Sequence, residues 1–280
     1  EAVKFTGSYN GQNHIIDGLF INRPDTHYIG LFGSIDEGAV IENLGVINVD
    51  ITGITNVGAL VGKIAGNSIV NKCYSTGNVD GWHEIGGVAG NVNNGTIESS
   101  YSIVNVHGSY WYSGGLVGDI INNSLINNCY SKGSVTGSEY VGGLIGSNLF
   151  STISCCFSIG SVFGYSNVGG LVGYKETGDG YEDINNYWNT ETSGQDISEM
   201  GWGMTTEELT YPYSPDAYYN WDFTNFWAND TTNLYDGYPY LCWQPYALPN
   251  AVEPSAGNGT AGDPFQIATL ENLYWMAEVN

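Results

Sequence analysis

The chain has 280 residues, and its 29 Asp and Glu outnumber its 6 Lys and Arg, which gives a formal net charge of −23. This charge excludes nucleic acid as a partner, because phosphate binding needs a basic surface, and it disfavours an anionic membrane surface. No apolar run is long enough for a membrane-spanning helix, so we expect no membrane insertion. Residues 1–4 lack a signal-peptide pattern, so we expect a leader to have been removed or to lie upstream.

The first predicted element is a strand-like stretch over residues 5–22, with no polar capping segment before it. A turn follows at residues 22–25, where we expect Arg23 to be a structural corner. We expect His14 to cap a turn, because none of the four histidines lies in a metalloprotease or triad-like motif.

A short glycine phrase then recurs. Five copies occupy residues 58–62, 86–90, 114–118, 142–146 and 169–173, and a looser copy occupies 29–33. Successive closing glycines are 29, 28, 28, 28 and 27 residues apart. Such a period is typical of a solenoid, because a propeller blade needs about 40–50 residues. We expect most glycines to serve bends with positive φ or close approaches of backbones.

Each repeat continues with a turn, a second strand-like piece such as 126–131, and a short β-type piece such as 133–137. One repeat is long enough for two or three strands of about five or six residues plus corners. We therefore predict an all-β fold, a β-solenoid (parallel β-helix) of about six coils of 27–29 residues over residues 1–174.

Cys73, Cys129 and Cys156 share one repeat position, which Ser100 fills in another repeat. Stacked coils would place Cys129 near Cys156 at a Cα separation that a disulfide tolerates. Unpaired core thiols would pack equally well and are our preferred interpretation. If Cys156 faces inward, Cys155 faces outward and is either reactive or paired elsewhere. No Cys/His cluster has zinc spacing, so we expect no metal centre of that kind.

Four glycosylation sequons occur in the chain, and two of them lie at corresponding turns of successive repeats. The predicted glycan acceptors are Asn94, Asn122, Asn229 and Asn258.

Residues 175–247 differ in kind, with fewer paired glycines and many Tyr and Trp. We predict an aromatic, acidic cap that packs over the last coil and contains one short helix, because residues 205–208 have capping-box spacing. Packing is the expected role of most of these aromatic residues, and stacking on sugar rings is the alternative. The acidic loop 176–183 is a Ca²⁺ candidate, with a solvated loop as the preferred interpretation.

Several of these phrases, such as GGLVG, NCYSKG and GSVTGSEYVGGLIG, resemble the GLUG repeat family. The opening residues 5–16 are similar to the first strand of that family, with Asn10 where Asp is usual, and residues 187–241 resemble its closing segment. The family occurs in bacterial adhesins and in non-catalytic parts of IgA-specific metallopeptidases. The resemblance therefore implies a secreted or cell-surface protein, and it implies no particular reaction.

Residues 259–277 resemble the segment that normally begins a GLUG unit, here placed last after a linker-like stretch. We therefore interpret residues 248–280 as a linker followed by the start of a further GLUG unit. Two interpretations follow: the chain is a slice of a longer tandem polypeptide, or it is a subunit whose residues 254–280 cover the first coil of the next copy. A third interpretation is that the boundary of the chain is arbitrary. The predicted assembly residues are Asp263, Pro264, Phe265, Ile267, Leu270, Leu273, Tyr274 and Trp275.

We expect no catalysis, because the carboxylates of the repeats are scattered and only one Arg is present. The sequence favours a non-catalytic extracellular subunit of a filament or array, self-assembled from copies of itself and glycosylated. The alternative is a carbohydrate- or cell-binding adhesin module of a large surface protein, with glycans as partners. We expect no cofactor apart from the Ca²⁺ candidate.

Overall fold

The computed structural model describes residues 3–176 and 183–244, together with the isolated residues 254, 257, 260 and 266. These residues form a β-solenoid of about six turns, as the repeat predicts. Predictions for the assembly residues, for Asn258 and for loop residues 177–182 fall outside the described residues.

The first turns contain β1 (Ser8–Asp17), β2 (Phe20–Asn22), β3 (His27–Ile29), β4 (Phe32–Ile35), β5 (Val40–Thr52), β6 (Thr55–Gly58), β7 (Val61–Ala65), β8 (Ile69–Gly86), β9 (Ala89–Asn93), β10 (Thr96–Glu98) and β11 (Tyr101–Gly114). The next turns contain β12 (Val117–Ile121), β13 (Leu125–Asn127), β14 (Tyr130–Ser131), β15 (Val135–Thr136), β16 (Glu139–Gly142), β17 (Ile145–Leu149), β18 (Thr152–Ser154), β19 (Phe157–Ser158), β20 (Val162–Phe163), β21 (Ser166–Gly169) and β22 (Val172–Glu176). The last elements are β23 (Asp183–Ile184), β24 (Tyr187–Asn189), α1 (Thr190–Ser193), β25 (Trp202–Met204), α2 (Thr206–Leu209), β26 (Trp227–Ala228) and β27 (Tyr240–Leu241).

The glycine phrases lie in successive turns. Their apolar residues open the strands of one parallel sheet in the order β4, β7, β9, β12, β17 and β22. The residues in register are Phe32, Val61, Ala89, Val117, Ile145 and Val172. A second, larger parallel sheet contains the remaining turn strands and encloses an apolar core between itself and the first sheet. Burial of each large aliphatic side chain in this core contributes about 1.5–3 kcal/mol.

The role expected for glycine is only half right. Close approach is confirmed, because a Cβ on Gly142 would lie 1.9 Å from the Ile145 carbonyl oxygen. Positive φ is found at some glycines of the repeats, such as Gly38, Gly66 and Gly77, but many positive-φ bends recur at non-glycine columns. One such column is Asn43, Lys72, Ser99, Asn128, Cys155 and Asn185, with φ between 47° and 54°. Asn dominates many of these corners because its short polar side chain tolerates the left-handed region.

The cysteine ladder lies in the core directly after that bend. Cys73, Cys129 and Cys156 are buried, and all five cysteines are free. The Cys129 amide donates to Cys156 Sγ at 3.4 Å, while the Cys73 amide donates to Ser100 Oγ at 3.1 Å. The thiol and hydroxyl groups therefore satisfy backbone donors between turns. Cys155 is half-buried and packs beside an aromatic cluster.

The larger sheet continues beyond residue 174 through β23, β24 and β25. The predicted capping box is present, with Thr205 as N-cap of α2, and α1 is a second short helix that the sequence did not indicate. Neither helix, at four residues each, is long enough to cross a bilayer, and no other helix is found in the described part of the chain.

The segment after α2 lies in a different place from the one expected. Besides contacting the last coil, it runs along the flank of the solenoid. Trp227 Nε1 donates to Asn128 Oδ1 at 3.0 Å, and the Tyr130 hydroxyl donates to Gln244 Oε1 at 2.9 Å. The reason is a column of outward-facing aromatic rings on that flank, which an apolar partner must cover.

Candidate functional site

One corner of the solenoid carries no side chains. It is formed by a column of glycines in successive turns, Gly53, Gly81, Gly108, Gly137 and Gly164. A Cβ at these positions would point into the core, for example 2.4 Å from Ile85 Cδ1 at Gly81 and 2.7 Å from Val141 Cγ2 at Gly137. The corner therefore presents backbone rather than side chains, partly exposed at Gly81, Gly137 and Gly164 and buried at Gly53 and Gly108.

Side chains on both sides of the glycine column frame a shallow depression, which we call the corner groove. Two cavities of about 310 and 300 Å³ make it up. Both are lined by His107 and Ser109, so the groove is continuous across successive turns. Its first part also contains Asp25, Asp80 and Trp82, and its second part ends at Phe163 and Tyr165.

One wall of the groove is a column of side chains in register. Thr52, Asp80, His107, Thr136 and Phe163 occupy equivalent positions in five turns. His107 Nδ1 lies 2.8 Å from Thr136 Oγ1, within hydrogen-bond distance. Burial raises the pKa of the Asp80 carboxyl, His107 opposes that rise, and Asp50 adds to it. This wall offers donors and acceptors at roughly the 4.8 Å spacing of stacked strands.

The other wall, beyond the glycine column, is lined by Trp82, Ser109 and Tyr165, and further aromatic rings pack beside Trp82. A bulge between Gly108 and Trp111 adds one residue to its turn and turns Tyr110 outward. Tyr110 lies 6.0 Å from Trp82 and 5.1 Å from the His83 ring between centroids. Burial lowers the pKa of His83.

The exposure of these rings is high for residues of their size. Trp82 is 48% exposed, Tyr110 41%, Phe163 60% and Tyr165 81%. Flat apolar rings beside hydrogen-bonding groups are suited to pyranose sugars, whose faces are apolar and whose rims carry hydroxyls.

The sequence pointed to other aromatic residues. It offered those of residues 175–247 for packing or sugar stacking, and packing is confirmed for the central ones. Tyr218, Trp221, Trp227 and Tyr238 are at most 7% exposed and form one cluster with the aromatic flank. The groove residues were missed, although their signal is present in the sequence. Aromatic residues adjoin the glycine that ends the short β-type piece in two repeats, at Gly81 and Gly164.

The other candidate residues do not join the groove. His14 Nδ1 lies 2.9 Å from the Gly11 carbonyl oxygen, in the expected turn. Asn94, Asn122 and Asn229 are exposed, so these sequons are accessible and their glycosylation stays a prediction. Within residues 3–176 and 183–244, no three His, Cys, Asp or Glu side chains gather as metal ligands would.

Known proteins provide three comparisons. No family model matches the chain. Over 102 residues, 36% of this chain, the sequence is 38% identical to halomucin of Haloquadratum walsbyi, of which that stretch covers 1%. Over 67 residues, 24% of this chain, it is 45% identical to a candidate Gly-rich membrane protein of Evansella cellulosilytica, of which that stretch covers 8%. The similarity therefore spans a small part of either relative.

A solved structure shares the fold. The crystal structure of a candidate immunoglobulin A1 protease from Bacteroides ovatus superposes with a TM-score of 0.62, covering 84% of this chain and 77% of that one. The two sequences are 20% identical over this region, so the likeness is one of architecture.

Proposed function

We propose that this chain is a non-catalytic module of an extracellular surface protein and that it binds glycans in the corner groove. The observation that carries the proposal is the groove itself, in which a bare glycine floor lies between exposed rings and a column of polar side chains. Its length across several turns suits an extended oligosaccharide rather than a compact ligand.

The charge of the chain narrows the class of glycan. With a net charge of −23 and with Asp25 and Asp80 in the groove, an anionic polysaccharide would be repelled. The ligand we propose is therefore a neutral or amino-sugar chain. Trp82 in the first part of the groove and Phe163 in the second part supply stacking faces, while Asp80 and His107 accept or donate hydrogen bonds.

Three features support a surface location. One relative is named halomucin and the other a candidate Gly-rich membrane protein. The matched stretch is a small fraction of each, which fits a module within a longer polypeptide. The resemblance to GLUG repeats, drawn from the glycine phrases, points to the same class of protein.

The absence of catalysis is part of the proposal. Glycoside hydrolysis needs two carboxyl groups about 5–9.5 Å apart on opposite sides of the scissile bond. Two carboxyl groups, those of Asp25 and Asp80, line the first part of the groove. Retention of the glycan without cleavage is therefore the part of the proposal that analysis of the sugar products must test.

Binding to an array of neutral, amino and acidic glycans tests the proposal. The chain should bind a subset of neutral or amino glycans, and Trp82→Ala should lose at least ~10-fold in affinity, about 1.4 kcal/mol. Trp202→Ala, a change at a 68% exposed tryptophan outside the groove, is the matched control and should bind normally. Binding that Trp82→Ala leaves intact, or release of shortened sugars, contradicts it.

A second candidate function is end-to-end assembly of copies of the chain. It is favoured by the exposed apolar residues of the first turn, Ile15 at 51% and Phe20 at 66%, on strands that pair on one side with β5. In this proposal residues 1–174 form the repeats, residues 175–247 form the cap, and residues 254–280 of one copy cover the first turn of the next. Electron microscopy of the full chain and of a chain ending at residue 253 tests it. Filaments that persist unchanged in the shorter chain contradict it.

A further inference from the structure

A second polar site lies in the wall of the solenoid, at a different corner from the groove. It is built around Asn91 in β9 and Asp119 in β12, which occupy equivalent positions in adjacent turns. Asn91 is 3% exposed and Asp119 is 5% exposed. Glu84 reaches the same place from the end of β8, where its φ of 56° turns the chain.

The carboxylates of Glu84 and Asp119 both approach the amide nitrogen of Asn91. Asn91 Nδ2 lies 3.2 Å from Asp119 Oδ2 and 3.5 Å from Glu84 Oε1. Two carboxylate oxygens from different turns therefore converge on the position of a single amide nitrogen. Rotation of the Asn91 amide by half a turn exchanges its nitrogen and oxygen without changing its shape. It would place a third oxygen at that point.

Several buried oxygens around this point have no hydrogen-bond partner within 3.5 Å, although the Ser147 hydroxyl is near enough to Asp119 to lower the pKa of its carboxyl as a donor. They are Asn91 Oδ1, Asp119 Oδ1 and Ser147 Oγ, the last from a residue that is fully buried in the next turn. Leaving such groups unpaired costs about 1–3 kcal/mol each. Lys63, in the preceding turn and in register with Asn91, does not form an ion pair with Glu84 or Asp119.

The local electrostatics are those of two carboxyl groups that are buried close to each other. Burial and then the nearby Glu84 raise the pKa of Asp119 to about 7, while Ser147 and Asn91 oppose the rise. Burial likewise raises the pKa of Glu84, against the opposing charge of Lys63 and a hydrogen bond from the Asn56 side chain. Tyr112 stands beside both carboxyl groups, and its ring stacks on that of Tyr140 at 5.1 Å between centroids.

We propose that Glu84, Asn91, Asp119 and Ser147 form a binding site for one Ca²⁺ ion that joins adjacent turns of the solenoid. The ligand atoms are all oxygens, which hard cations prefer. Two carboxylates match a divalent charge, and the mixed carboxylate, amide and hydroxyl set suits the flexible geometry of Ca²⁺ better than the strict octahedron of Mg²⁺.

The proposed ion would satisfy the unpaired oxygens and would cross-link the turns that contain β9, β12 and β17. This role is independent of glycan binding, since the site and the corner groove share no residue. It also differs from the loop 176–183 that the sequence offered for Ca²⁺.

Calorimetric titration of the chelator-treated full chain with CaCl₂, paired with thermal melting, tests the site. The wild-type chain should bind one equivalent at this site and melt several degrees higher with Ca²⁺. Asp119→Asn should lose that equivalent and its melting shift. Asp50→Asn, with the same charge change at an exposed position, should keep both.

Asp119→Asn should also fold without Ca²⁺ at neutral pH, because it removes a buried charge. Its circular dichroism and melting in chelator therefore separate loss of binding from loss of folding. Absence of any Ca²⁺ response in the wild-type chain, retention of the full response in Asp119→Asn, or an equal response to Mg²⁺ overturns the proposal.

Discussion

The phenol ring of Tyr101 lies parallel to that of Tyr130 in the next turn, with 4.9 Å between centroids and 3° between ring planes. Tyr74 and Phe157 extend the stack at 5.0 and 4.9 Å. The spacing is that of neighbouring strands, so the parallel register of the sheet itself stacks the rings. This column forms the flank against which the segment after α2 packs.

Removal of the anchor between flank and segment should destabilise the fold. Trp227 is fully buried and contacts Tyr130 and Phe157, so we expect Trp227→Ala to lower the free energy of unfolding by about 3–5 kcal/mol. Tyr165→Ala, at a ring that is 81% exposed, should change it by less than about 0.5 kcal/mol. Urea unfolding measures both. Equal effects of the two substitutions would contradict the packing described.

The glycine phrases should be sensitive to added volume rather than to backbone φ. In Gly142→Ala the new methyl group would collide with the Ile145 carbonyl oxygen, and we expect a loss of more than about 3 kcal/mol. Gly194→Ala is the matched control, with φ of 67° and open space around it. It should cost about 1–2 kcal/mol. A larger loss for Gly194→Ala in urea unfolding would reverse this interpretation.

Stability should fall as pH rises through the range in which Asp119 ionises. Its pKa of about 7 in the folded chain lies above the ordinary 3.8, so the folded state holds a proton that the unfolded state releases in that range. Asp119→Asn should reduce the slope of the free energy of unfolding against pH in this range, by up to ~1.4 kcal/mol per pH unit.

Unfolding of both chains in chelator, from about pH 4 to about pH 8, measures this effect. Glu84, Lys63 and Tyr112 face the same site and are unchanged in the variant. The difference between the two curves therefore reports Asp119. Parallel curves for wild type and Asp119→Asn would contradict the predicted linkage.

The cysteines should differ in reactivity by position. Cys242 is exposed and should react first with a thiol reagent, and half-buried Cys155 should react more slowly. Cys73 should stay unmodified until the chain unfolds, because it is fully buried and burial raises the pKa of its thiol to about 12. Cys129 and Cys156 are also fully buried and should likewise stay unmodified until the chain unfolds. Failure of this pair to react even after unfolding without reductant would indicate a disulfide.

The repeat made the solenoid predictable from the sequence alone. The closing glycines share one period with the cysteine positions, so both columns could be predicted from their spacing. The flank packing could not be predicted, because Trp227 and Asn128 are 99 residues apart and belong to segments with no common period. The corner groove was missed for a related reason. Trp82, Tyr110 and Phe163 are far apart in the sequence, and only the stacking of the turns in register shows that they lie on the same side of the solenoid.

The proposed calcium site around Asn91 and Asp119 could not be predicted from the sequence for the same reason. Local acidic composition made the loop 176–183 a Ca²⁺ candidate, with a solvated loop as the preferred interpretation, whereas Glu84 and Asp119 are 35 positions apart in the chain. The fold brings both carboxylates within 3.5 Å of Asn91 Nδ2, and Asn91 and Asp119 lie on adjacent strands of one sheet. Only the three-dimensional structure could show that the oxygens around them lack partners.

A crystal structure of the chain with its tightest-binding oligosaccharide tests the glycan-binding account most directly. The account predicts sugar rings stacked on Trp82 or Phe163, with hydroxyls within hydrogen-bond distance of Asp80 and His107, along the glycine floor. An intact oligosaccharide bound elsewhere on the solenoid, or a groove that stays empty at saturating ligand, would contradict it.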